Sequence, residues 1–177
     1  MVTDIYVLKF FSEELTKNQM IADYSMILNI SNILLLVPLT LTNVDIESYK
    51  KRFDNFEISL KKNIKFSIYT IILLAIFYLF LINSFLIDYK NTIVLFFVIL
   101  FAKYFQSIAI PYGVFLATRR LYLYNLYINL IALVINIVLS IVLLAKFGIM
   151  GVAYASIISL IVRFLLLKQK YVKLKIK

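Results

Sequence analysis

Five apolar runs, each of about 20 residues or more, follow one another along this chain: 20–44, 66–87, 92–117, 122–145 and 148–167. A helix of about 20 residues covers the ~30 Å hydrocarbon core of a bilayer. No water is present there to pair with backbone N–H and C=O groups, so such a run crosses as a helix. The expected fold class is all-α: one polytopic membrane domain over 1–177, with about five transmembrane helices. Hydrophobic residues make up 63% of the chain and charged residues 16%, which leaves too little polar surface for a soluble domain.

The polar residues limit what such a bundle can do. The chain has no His and no Cys, which excludes disulfides, thiol catalysis, Cys/His zinc sites and histidine general bases. An integral-membrane enzyme would carry acid/base residues on outward loops, and the connections 88–91 and 146–148 are too short for that. No enzymatic activity, cofactor or metal is expected. A net charge of +10 is compatible with nucleic acid, but the basic residues lie between and after the apolar runs. That is the positive-inside arrangement. Thirteen of the 19 Lys and Arg fall in 45–65, 118–121 and 168–177, whereas Lys9, Lys17, Lys90 and Lys146 occupy the other side. This asymmetry places the C-terminus in the cytoplasm. The basic tail 168–177 is expected to contact anionic membrane lipids. Asp4, close behind Met1, argues against a signal peptide.

Residues 5–11 are apolar but too short to span, and resemble the end of a helix; Ser12 and 14–18 read as a polar connection. In 20–44, Ser25, Asn29 and Asn32 share one helical face, and Asp23 suits the headgroup level of the first turn. Segment 45–65 carries Ile46, Tyr49, Phe53, Phe56, Leu60 and Ile64 as one stripe, with Glu47–Lys51 and Glu57–Lys61 at i, i+4. It is expected to be a separate amphipathic helix lying on the cytoplasmic membrane face. Gly151, Ala155 and Ser159 form a ridge of small residues suited to close helix packing.

Lys103 stands near the middle of 92–117, with Gln106 one turn on. A lysine at mid-bilayer costs about 2.5–3.5 kcal/mol on insertion scales, and its stem is too short to reach water from that depth. It is expected to meet a cavity, a partner or a substrate. No acid in any run is deep enough to be its obvious counter-ion. In 122–145, Asn125, Asn129, Asn136 and Ser140 fall on one face, again expected to meet a cavity or a helix partner. Arg163 lies four residues from the end of its run, where snorkelling is the simplest expectation; it is nevertheless kept as a candidate. The candidate substrate-binding residues are Lys103, Gln106, Asn129, Asn136 and Arg163.

Three stretches carry a family resemblance: FGIMGVAYASIISLIVRFLLL (147–167), ATRRLYLYNLYINLIALVINIVLSIVLLAKFG (117–148) and FFSEELTKNQMIADYSMILNISNILLLVPL (10–39). In this order they resemble the last helices and the seventh-to-eighth helix junction of bacterial polysaccharide flippases, members of the multidrug/oligosaccharidyl-lipid/polysaccharide superfamily. The resemblance implies most of the second half of a two-lobed transporter of the bacterial cytoplasmic membrane. It also implies an undecaprenyl-pyrophosphate-linked oligosaccharide as cargo, moved by alternating access, and makes a chain supplying the first half a candidate partner. Two other readings accompany it. One is a multidrug or cation antiporter of the same superfamily, which would use an intramembrane carboxylate. The other is a truncated remnant that inserts and moves nothing.

Overall fold

The computed structural model describes residues 2–11, 14–51 and 53–176, and among them every element is helical. The chain is an all-α polytopic membrane protein. Its elements are α1 (Val2–Phe11), α2 (Glu14–Asn32), a 3-10 turn at Ile33–Leu35, α3 (Leu36–Lys51), α4 (Phe53–Ser84), a 3-10 segment at Ile87–Thr92, α5 (Ile93–Thr118), α6 (Tyr122–Phe147) and α7 (Ile149–Lys175). Five stretches are long and apolar enough to cross a membrane, the first made of α2, the 3-10 turn and α3 together. α5 and α7 form the centre, with α7 packed chiefly on α6 and α5.

The turns follow from local chemistry. α5 ends in a Schellman motif: Leu121 N–H donates to Leu116 O and Arg120 N–H to Ala117 O, both at 3.0 Å. Arg120 holds the left-handed position, φ +62°, usually given to glycine. Gly148 joins α6 to α7 at φ +58°, ψ −143°, a conformation open essentially to glycine alone. Gly151 then lets α7 close on α6: a Cβ there would stand 2.1 Å from Leu143 O. Ala155 and Ser159 of the same ridge are also buried.

Segment 45–65 is not a helix of its own. It is divided between the end of α3 and the start of α4, each continuous with a spanning stretch; Arg52 and the Lys50 and Lys51 side chains lie outside the described residues. Its apolar stripe is turned largely onto protein. Tyr49 and Phe56 are fully buried, and Phe56 packs on Phe115 (4.7 Å between centroids) and Tyr171 (4.9 Å). Burial against fixed aromatic rings outcompetes lying flat on headgroups. Glu57 accepts from Tyr171 and Lys175 on α7, in place of the expected pair with Lys61. Those two partners also show the tail up to Lys175 to be the last turns of α7.

Two apolar clusters occupy the two ends of the bundle. One gathers Leu74, Leu100, Leu144 and Ala153 with α1 and α2; the other gathers Phe56, Ile108, Ile128 and Leu167. On each of four helices, a buried polar pair lies between a member of one cluster and a member of the other: Asn63 and Ser67 on α4, Lys103 and Ser107 on α5, Asn136 and Ser140 on α6, Ser156 and Ser159 on α7. The bundle therefore has a polar layer at mid-height.

Candidate functional site

The α4–α5 part of this layer has a backbone origin. Pro111 has no N–H, so the Ser107 carbonyl four residues earlier loses its helical donor. Asn63 Nδ2 replaces it at 3.1 Å, and the Ser67 and Ser107 hydroxyls meet at 2.6 Å.

The α1–α6–α7 part is built around Asp4, which is fully buried. Tyr24 OH and Ser156 Oγ donate to its Oδ2, each at 2.8 Å, and Asn136 Nδ2 donates to Oδ1 at 2.9 Å. Ser140 Oγ donates in turn to Asn136 Oδ1 at 2.8 Å. Three helices thus converge on one carboxylate, and the acceptor capacity of Asp4 explains why donors on α2, α6 and α7 can be buried at all.

Lys103 is 2% exposed, and its Nζ donates to Gln106 Oε1 at 3.2 Å. Among the described residues it makes no ion pair. The sequence offers no acid deep enough in a run to be its obvious counter-ion, and the structure buries one from the short helix α1, Asp4, in the same polar layer.

Beside this network is a polar cavity of about 280 Å³, lined by Gln106, Asn129, Asn136, Ser159 and Arg163 with Thr3 and three apolar residues. Four of the five candidate residues share this one cavity. Lys103 does not line it; it reaches the cavity only through Gln106. Arg163 does not snorkel at a helix end, because α7 continues to Lys175 and places its side chain in the cavity wall. Its Nε is buried and has no hydrogen-bond partner among the described residues. The polar face of α6 is split by depth. Asn136 and Ser140 serve Asp4, Asn129 lines the cavity, and Asn125 Nδ2 donates to Gly113 O at 3.4 Å.

Asp4, Tyr24 and Ser156 escaped the sequence reading. A signal for them existed: an Asn136/Ser140 pair deep in an apolar helix requires an acceptor from elsewhere, and Asp4 is the carboxylate in an otherwise apolar segment. Asp23 lies in a different place, lining a second cavity with Tyr89 and Asn91. Asn29 and Asn32 are exposed on the bundle surface. Among the described residues there is no cluster of three His, Cys, Asp or Glu that could hold a metal.

Comparison with protein-family models, with curated proteins and with solved structures gave no match.

Proposed function

We propose that this chain is part of a flippase that carries an undecaprenyl-pyrophosphate-linked oligosaccharide across the bacterial cytoplasmic membrane, with its C-terminus in the cytoplasm. The observation that carries the reading is the charge balance at mid-height. Lys103 and the Asp4 carboxylate are both buried in the polar layer, whereas Arg163, with an unpaired Nε in the cavity wall, has no ion pair among the described residues. An uncompensated guanidinium among Gln106, Asn129 and Asn136 suits a cargo that is anionic at one end and rich in hydroxyls at the other. The likeness of 10–39 and 117–167 to polysaccharide flippases supports the same reading, and so does the Lys/Arg asymmetry for orientation. In a two-lobed assembly, this chain supplies one wall of the path.

The test is surface polysaccharide in a flippase-null strain carrying the complete assembly. Arg163→Lys is expected to retain more transport than Arg163→Gln, with Arg163→Glu lowest. Loss of one charge-assisted contact predicts a roughly ten- to hundredfold fall. Lys103→Arg is expected to exceed Lys103→Gln, and Lys103→Glu to be lowest because it places a second carboxylate beside Asp4. Equal transport by all of these at matched membrane abundance removes both cations from the mechanism.

A second reading, the antiporter, is favoured by one observation. The intramembrane carboxylate that such a protein needs is present as Asp4. Under that reading Asp4→Asn abolishes proton- or sodium-driven export. Export that persists in this variant removes the antiporter.

A further inference from the structure

Away from the mid-height site, at the end of the bundle where α2 begins, Gln19 and Asp23 face the 3-10 segment Ile87–Thr92 across a cavity of about 410 Å³. That volume falls within the ~300–1,000 Å³ of small-molecule sites. The floor is fixed. Thr92 is buried, its hydroxyl pairs with Tyr78 OH at 2.7 Å, and it also donates to the Tyr89 carbonyl. Tyr89 is packed against the neighbouring apolar cluster, so its ring is a held wall. The groups above this floor are unused: among the described residues, the side chains of Gln19, Asp23 and Asn91 make no hydrogen bond within the protein.

The lining excludes several ligands. Among the described residues no Lys or Arg borders the cavity, so none of them draws a phosphate there. The one carboxylate and two carboxamides among the described lining residues are a poor set for a divalent cation, which takes several charged oxygens. A carboxylate and carboxamides that both accept and donate, set beside an aromatic face, match a neutral ring with many hydroxyls on its edge and C–H groups on its face.

We infer that the Gln19/Asp23/Tyr89/Asn91 cavity is a carbohydrate-binding site, taking a pyranose ring with Asp23 and Asn91 on its hydroxyls and Tyr89 against its face. Its physiological meaning, a stop for the glycan at the outer mouth of the path, rests on the flippase reading. The binding itself does not.

The test uses the full chain in lipid nanodiscs with glucose, galactose or N-acetylglucosamine as separate probes, and glycerol as the acyclic control. The readout is saturation-transfer difference NMR. The expected result is transfer to at least one sugar and none to glycerol. Asp23→Ala should weaken apparent affinity by roughly ten- to hundredfold, and Lys61→Gln, at the opposite end, should leave it unchanged. Asn91→Leu changes an exposed side chain, and should also weaken binding if Asp23→Ala fails to fold. Absence of transfer with all three sugars overturns the site, as does equal transfer with wild type and Asn91→Leu. Cellular translocation is scored separately: its absence from the wild-type assembly with sugar binding intact removes the transport reading, whereas full translocation by variants that have lost sugar binding removes the stop and leaves the site.

Discussion

The Asn63–Ser107–Pro111 arrangement gives the sharpest stability prediction. Ser107 is fully buried and its carbonyl has been freed by Pro111, so Asn63→Leu leaves it with no protein donor and no water in reach. Two magnitudes compete. Interhelical hydrogen bonds in membranes average only ~0.6 kcal/mol, because the unfolded chain in lipid also finds partners. A buried acceptor left unsatisfied costs about 1–3 kcal/mol. The second figure governs here, since a carbonyl behind a proline is unsatisfied in the isolated helix as well. The expected loss is about 1–2 kcal/mol, read by denaturant titration of the reconstituted protein. Pro111→Ala restores a backbone N–H to Ser107 O, and in that background Asn63→Leu should cost under ~0.5 kcal/mol. The double-mutant cycle should therefore show a coupling near 1 kcal/mol or more. Additive effects, within the ~0.3–0.5 kcal/mol expected of independent sites, would show that Asn63 does not act through the freed carbonyl.

Three further outcomes test the rest of the frame. Asp4→Leu should lower the thermal stability of the solubilised protein more than Tyr24→Phe or Ser156→Ala alone, because it strips the acceptor from all three donors at once; a smaller effect than Tyr24→Phe would refute the convergent network. Gly151→Leu should separate α6 from α7 and abolish a monodisperse folded peak on size exclusion, since even its Cβ would stand 2.1 Å from Leu143 O. Because the chain lacks Cys, Asn91→Cys should react with an impermeant thiol reagent on intact cells while Ser48→Cys stays protected; the reverse pattern inverts the orientation.

What could be read from the sequence was what depends on one helix at a time. Hydropathy marks the spanning stretches because lipid leaves no alternative to the helix. The i, i+4 spacing on α6 found Asn129 and Asn136, and their cavity also collected Gln106 and Arg163 from two other helices. The Gly151 ridge announced the tight α6–α7 pair. What depends on several helices at once was not legible. Asp4 meets partners 20, 132 and 152 residues away, and its place in an apolar segment does not say which helices it serves. The break between α3 and α4 is equally silent, since 45–65 contains neither Gly nor Pro and its stripe runs through residue 52 in phase. Asn63 was hidden for the same reason. Read as part of a surface helix, it had no cause to face a proline-freed carbonyl on α5.

Two residues belong both to the cavity and to the buried charges. Asn136 lines the cavity while its amide serves Asp4, and Gln106 lines it while its carbonyl oxygen serves Lys103. A polar group entering the cavity therefore meets carboxamides already bonded to Asp4 and Lys103, through the N–H groups and lone pairs each still has free. A ligand that bonds either carboxamide polarises its bond to the buried ion, and by reciprocity a change in that ion changes the affinity of the cavity. A fixed polar pocket, satisfied independently of its neighbours, would have no such linkage. The flippase and antiporter readings consequently differ in which partner is cargo and which is driver, and they share one physical device: a carboxamide pair bonded to the buried ions on one side and open to the cavity on the other.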